Sequence, residues 1–256
     1  MKYRVLLIKA IWGTIIVICG FIAVRVFVCD SFRVRGISMS PTLSSQDKII
    51  VNKLILGARI YTDFHFDRKE LHCFRLPGYR NCQVGDIIVF NYPFGGYDEE
   101  RIHFTINDVC VKRCVGLPGD TITIKKSVIY NSSTPINYHR SFVDSPSMEK
   151  CRNDNTPLEG SFSNRSTPVE FGISIKDYGP YVIPKKGLTM TIDSLMLKTY
   201  ALPIAFENGN LPAIGTDYCF KENWVFVVGD NLAFSCDSRH FGPIPESYII
   251  GVVVHK

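Results

Sequence analysis

At 256 residues the chain has room for a membrane anchor and one domain of roughly 200 residues, or for one domain with a large insertion. Its 17 Phe, 12 Tyr and many Val and Ile favour strands over helices, and the hydrophobic fraction of 46% is ordinary for a globular core. A net charge of +5 without a block of five or six basic residues argues against nucleic-acid binding.

The N-terminus is predicted to be an anchor. Residues Ala10 to Val24 carry no charge. With Lys9 and Arg25 snorkelling, the apolar span runs from Val5 to Val28, longer than the roughly 20 residues a bilayer crossing needs. A buried core helix is seldom apolar on every face for so long. Met1-Lys2-Tyr3-Arg4 also looks like the basic start of a cleavable secretory signal. Gly20 to Asp30, however, offer Val, Arg, Phe and Cys where a small-x-small cleavage site belongs. Residues 1–30 therefore read as an uncleaved anchor. Lys2, Arg4 and Lys9 before the span balance Arg25, Arg33 and Arg35 after it, so charge gives almost no orientation bias.

Next comes Gly36-Ile37-Ser38-Met39-Ser40-Pro41-Thr42-Leu43. A serine between small and apolar residues, followed by a proline, is a candidate nucleophile on a constrained turn, although Ser-Pro turns are common. Lys48 to Leu54 reads as a strand leaving that turn. Residues 57–83 are irregular and aromatic. His65, Asp67, His72 and Cys73 lack H-E-x-x-H or a second close ligand pair, so an insertion loop is favoured over a metal site. Gly85-Asp86 is a turn before a buried strand, which Pro93 stops.

Lys112 lies in the apolar run Cys110-Val111-Lys112-Arg113-Cys114-Val115, and in a strand Cys110, Lys112 and Cys114 share one face. A lysine on a half-buried strand ordinarily points to solvent. The functional alternative is a desolvated lysine, whose neutral amine can take the proton of a serine hydroxyl.

Residues 126–218 look like an inserted lobe, with polar Ser/Asn/Pro-rich turns from Asp144 to Pro168 and a strand-like run from Tyr181 ending in a basic turn at Gly187. Asn131-Ser132-Ser133 and Asn164-Arg165-Ser166 are glycosylation-type triplets. Beyond the lobe, Trp224 to Val228 reads as a buried strand running into Gly229-Asp230-Asn231. Glycine at 229 lets another side chain approach the backbone. Asp237 and Arg239 either fix the shape of the following loop or form a solvated turn, and Tyr248 to Val254 supplies another strand. The nine cysteines, Cys19, Cys29, Cys73, Cys82, Cys110, Cys114, Cys151, Cys219 and Cys236, contain no C-x-x-C pair. Their odd number leaves at least one unpaired or joined to another chain, and disulfides and buried thiols both stay open.

Taken together, four ordered motifs resemble bacterial type I signal peptidases. They are Ser38-Met39-x-Pro41-Thr42-Leu43, Gly85-Asp86-Ile-Ile-Val-Phe, Lys112-Arg113-x-Val115-Gly116-Leu117-Pro118-Gly119-Asp120, and Gly229-Asp230-Asn231 with Ser235, Asp237, Ser238, Arg239 and Gly242. The resemblance covers over half the chain. It implies a mostly β fold: an antiparallel sheet or partial barrel as catalytic domain, with an inserted β-rich lobe, preceded by one transmembrane helix. The expected units are an anchor over 1–30, the catalytic domain over 31–125 and 219–256, and the lobe over 126–218.

The resemblance also implies roles. Ser38 would be the nucleophile and Lys112 the general base, with Ser235 hydrogen-bonding the Lys112 amine to orient it. The Ser38 N–H would stabilise the oxyanion. Gly36 stands where many members carry a serine, so the second oxyanion donor is left to backbone or water. Arg113 with Asp230, and Asp237 with Arg239, match ion pairs behind the site. Phe32, Val34, Gly36, Met39, Leu43, Cys110 and Val111 match shallow subsites for small residues, giving Ala-x-Ala preference. The implied substrates are preprotein signal peptides, cut on the extracytoplasmic side of the cytoplasmic membrane, with the lipid bilayer and the secretion translocon as neighbours. Neither metal nor cofactor is expected.

Three rival readings are disfavoured. A self-cleaving Ser/Lys repressor needs a DNA-binding domain where only the apolar span precedes Ser38. A Ser-His-Asp hydrolase lacks its G-x-S-x-G elbow. A catalytically dead scaffold that binds precursors is disfavoured by having both Ser38 and Lys112.

Overall fold

The computed structural model describes residues 2–65, 71–94, 101–125, 128–133 and 178–256. The N-terminal helix α1 (Lys2–Ala23) continues through a π-helical turn (Val24–Val28). From Ala10 to Ala23 its side chains carry no charge, and all of them are exposed. The segment Tyr3–Val28 is long and apolar enough to cross a membrane.

Fourteen strands follow among the described residues: β1 (Cys29–Arg33), β2 (Lys48–Asn52), β3 (Arg59–Tyr61), β4 (Cys73–Arg75), β5 (Ile87–Asn91), β6 (Val109–Gly116), β7 (Thr121–Lys125), β8 (Val128–Asn131), β9 (Tyr178–Val182), β10 (Thr189–Thr191), β11 (Asp217–Cys219), β12 (Trp224–Val228), β13 (Ile244–Pro245) and β14 (Ile249–His255). The fold is thus mostly β. Seven strands form the main antiparallel sheet, in the order β1-β2-β14-β5-β6-β12-β13. Register shifts between β12 and β6, and along β14 against both neighbours, bend the sheet into an open half-barrel. A three-stranded sheet, β8-β7-β9, continues from β6, and two hairpins, β3-β4 and β10-β11, complete the strands.

Side-chain alternation explains how the main sheet is buried on both sides. On β12, Trp224, Phe226 and Val228 join a core with Ile122, Ile124, Tyr181, Ile183 and Tyr200. Val225 and Val227 face a second core with Ile88, Phe90, Cys114 and Ile249. This is why Trp224–Val228 is a continuous apolar run. Across β5 the same alternation sends Val89 to a third core with Ile49, Val51, Val34, Met39 and Leu43. The third core seats the serine turn against the sheet. Because the first core joins β7 and β9 to β12, the described part of the inserted lobe packs continuously with the catalytic sheet.

Two features depart from the sequence-based expectation. Residues 57–83 contain the β3-β4 hairpin rather than a plain loop, with Asp67 outside the described residues. Arg59 and Arg75 pair across it and bond the Ser247, Tyr248 and Ile249 carbonyls, so the hairpin is held from afar. The lobe also carries two helices, Ser194–Thr199 and Ala201–Asn208. The second is docked by Glu207, which accepts from the Trp224 indole at 2.8 Å and the Tyr218 hydroxyl at 2.9 Å. The turns from Asp144 to Pro168, Cys151 and Asn164-Arg165-Ser166 lie outside the described residues.

Candidate active site

Ser38 stands in a tight turn between β1 and β2. Gly36 enters it at φ 81°, a left-handed conformation that costs glycine little. The Ser40 N–H donates to the Ile37 carbonyl at 3.0 Å and the Leu43 N–H to the Met39 carbonyl at 2.9 Å. The Ser40–Pro41 peptide is cis. Met39 and Leu43 are buried and hold the turn on the sheet, which leaves the intervening backbone facing outward.

The loop after β12 fastens the turn from the other side. The Asn231 N–H donates to the Ser38 carbonyl at 2.9 Å, and the Asn231 side-chain amide to the Ile37 carbonyl at 3.2 Å. Asn231 was not among the site residues expected from sequence. Its contribution is made through backbone groups, and no residue-type signal marks that. The Ser38 N–H, by contrast, bonds to nothing among the described residues and remains an open donor.

Lys112 reaches this turn from the middle of β6. Its amine donates to the Ser38 hydroxyl at 2.6 Å. The side chain is only 5% exposed, and no carboxylate among the described residues pairs with it. At this separation the serine proton can pass to nitrogen once the hydroxyl turns to donate and the amine to accept.

Ser235 is buried nearby, but the expected hydrogen bond to Lys112 is not formed: its hydroxyl has no partner among the described residues. It lies over Gly229. A Cβ placed on Gly229 would collide with the Ser235 side chain and come within 2.5 Å of the Ser38 carbonyl. Glycine is thus what lets the nucleophile turn, the β12 end and Ser235 meet. Gly229→Ala should cost about 1–3 kcal/mol of stability through overpacking. It should also lower turnover at least tenfold, because the Ser38 carbonyl is already held by Asn231 and cannot yield. Chemical denaturation and precursor cleavage measured on the same preparation check this.

The two expected ion pairs are both present. The Arg113 guanidinium grips Asp230 through two bonds of 2.7 and 2.6 Å and donates to the Gly85 carbonyl at 2.9 Å. This joins β6, the loop after β12 and the turn before β5. Asp237 and Arg239 form a second bidentate pair, fully buried. Burial pushes the Asp237 carboxyl up, but Arg239 and His240 together outweigh it and hold the group well below the usual carboxylate range. Asp237 also caps the short helix Ser238–Phe241 and accepts from the Gly229 N–H at 3.0 Å. It is therefore a built-in ion pair rather than a solvated turn.

Of the expected subsite residues, Phe32, Val34, Met39, Leu43 and Val111 fall in the third core. Gly36 is exposed on the turn, with open space where a side chain would be. Cys110 is not brought together with them: it packs on the second core, on the Lys112 side of β6. Burial pushes its thiol up to about 11, so it presents a neutral wall. Cys19, Cys29, Cys73, Cys82, Cys110, Cys114 and Cys219 are all thiols.

A family model described as signal peptidase, peptidase S26, matches residues 7–256. The chain is 27% identical over 258 residues to Signal peptidase I of Buchnera aphidicola subsp. Baizongia pistaciae, covering 90% of this chain and 70% of that protein. It is 25% identical over 247 residues to Signal peptidase I V of Bacillus subtilis (strain 168), covering 96% of both. A crystal structure of a signal peptidase I from Enterococcus faecalis V583 is 21% identical and aligns with a TM-score of 0.33, over 68% of this chain and 98% of that one.

Proposed function

The chain belongs to the signal peptidase family S26, and we propose that it is a membrane-anchored serine endopeptidase that removes signal peptides from exported preproteins with a Ser38/Lys112 dyad. The 2.6 Å bond between the two side chains is the observation that carries this reading. The Lys112 amine takes the proton as Ser38 Oγ attacks the scissile carbonyl. An acyl-enzyme forms and the mature protein leaves, its amine receiving that proton; water then releases the signal peptide. The open Ser38 N–H supplies an oxyanion donor. With Gly36 in place of a serine, the second donor is water or backbone.

Ser235 is the orienting group in this proposal. Its hydroxyl is buried with unspent hydrogen-bonding capacity, a state that ordinarily costs about 1–3 kcal/mol and tends to persist at working sites. The Arg113–Asp230 and Asp237–Arg239 pairs hold the loops. Phe32, Val34, Met39, Leu43 and Val111 form the floor on which small residues of an Ala-x-Ala motif rest, with Gly36 and Cys110 at its margins. The anchor over residues 1–30 places the catalytic domain at the extracytoplasmic face of the cytoplasmic membrane, within reach of emerging precursors and the translocon.

Incubating the purified chain with a secretory precursor and sequencing the new N-terminus tests the reading. Cleavage should fall after Ala-x-Ala. A precursor that stays intact and bound would instead favour a scaffold.

A further inference from the structure

Where α1 meets the sheet, Arg25, Asp30, Lys53, Arg59 and Tyr61 border a cavity of about 390 Å³. Its other wall is apolar: Phe21, Ile22 and Val26 from the end of the helix, and Ile250 from β14. The junction is fixed rather than loose. The Lys53 N–H donates to the Val28 carbonyl at 2.9 Å, and the Lys53 amine to the Arg25 carbonyl at 2.6 Å.

Three cations here meet one carboxylate. Asp30 is already engaged by Arg25, by the Ser31 N–H at 2.8 Å and by Lys53 at 3.6 Å. Arg59 has no carboxylate partner among the described residues. Though only 8% exposed, it finds neutral acceptors alone: the Asn91 side chain at 2.8 Å and the Ser247 and Tyr248 carbonyls at 3.3 and 3.4 Å. Tyr61 presents its ring 5.5 Å from the guanidinium. Burial pulls both Lys53 and Arg59 below their ordinary values, and Asp30 offsets only part of this for Lys53. A cavity with net charge of one sign and a buried guanidinium lacking a counter-ion favours an anion. The apolar wall on the helix side suits an anion that carries hydrocarbon.

We propose that this cavity binds the phosphate of an anionic membrane phospholipid, with Lys53 and Arg59 facing the headgroup, Arg25 at the rim, and Phe21, Ile22 and Val26 along the glycerol and first acyl carbons. The lipid source rests on reading α1 as a bilayer anchor; the anion site does not.

The full chain, purified in neutral detergent, would be titrated with phosphatidylglycerol, phosphatidylcholine and inorganic phosphate, and bound ligand counted by native mass spectrometry. Phosphatidylglycerol should bind at least about tenfold more tightly than phosphatidylcholine, since two facing cations each contribute roughly fivefold. Lys53→Gln should cut that preference roughly fivefold while leaving precursor cleavage in detergent unchanged, which separates this test from the proposed activity. Arg59→Gln is the second variant, read only alongside a thermal melt because Arg59 also supports the core. Equal binding of the two lipids, or a full preference in Lys53→Gln, overturns the proposal. Displacement of phosphatidylglycerol by equimolar inorganic phosphate overturns the lipid assignment in favour of a free anion.

Discussion

Lys112→Met is expected to lower kcat/KM for precursor cleavage by at least ~10³-fold while leaving thermal stability equal to or above that of the parent. The two halves follow from one observation. The lysine is 5% exposed, has no carboxylate partner among the described residues, and bonds the Ser38 hydroxyl. Met fills nearly the same volume between the flanking strands and replaces a buried amine bonded to the part-buried Ser38 hydroxyl, so no desolvated group is stranded. Nothing then remains to take the serine proton. Ser38→Ala should give the same loss by removing the attacking oxygen, again with the fold intact, because the turn is held by the Ser38 carbonyl and not by its hydroxyl. Unimpaired cleavage by Lys112→Met would sink the Ser/Lys mechanism. Loss of activity together with unfolding would reduce Lys112 to a structural residue. Cleavage assays and melting curves on one preparation separate these outcomes.

The sheet was legible where burial writes itself into composition. Ile87–Asn91 and Trp224–Val228 are central strands that read as nearly continuous apolar runs, and Val109–Gly116 does so apart from Lys112 and Arg113. The β3-β4 hairpin was not legible because its support is remote: Arg59 and Arg75 bond carbonyls more than 170 positions away. The helix Ala201–Asn208 similarly depends on Glu207 accepting from Trp224 and Tyr218. At the candidate site, residue types were readable but their partners were less so. Ser38 and Lys112 are 74 positions apart and meet only because β6 and the turn after β1 flank one sheet. Asn231 stands in the Gly-Asp-Asn motif without an assigned role, because backbone carbonyls receive its bonds. The family resemblance groups Cys110 with Val111 as subsite residues, and strand alternation sends the two to opposite faces of β6.

Asp237→Asn should destabilise the protein by about 3–5 kcal/mol, the ordinary cost of breaking a buried ion pair by removing one partner. Asp237 is fully buried and Arg239 is 4% exposed. The two bond through Nε–Oδ1 at 2.8 Å and Nη2–Oδ2 at 2.9 Å. Arg239 also donates to the Leu232 carbonyl at 2.8 Å, and Asp237 accepts from the Gly229 N–H. Asparagine keeps the shape and one acceptor but leaves the guanidinium uncompensated. The sign of the pH dependence is fixed by the depressed Asp237 carboxyl. Folding favours its ionised form, so its contribution is fully present above the unfolded value of about 4 and is lost as pH falls toward the lower folded value. Urea denaturation should therefore find the parent flat in this respect above pH ~4 and weakening below it, with the variant lower at neutral pH and missing this acid-side loss. Adding Arg239→Met to the variant should recover part of the deficit, by at least ~1 kcal/mol relative to additivity, since the stranded charge is gone. A variant within ~1 kcal/mol of the parent at neutral pH would mean that hydrogen bonds alone, and not the charge pair, hold the segment carrying Ser235 against Gly229.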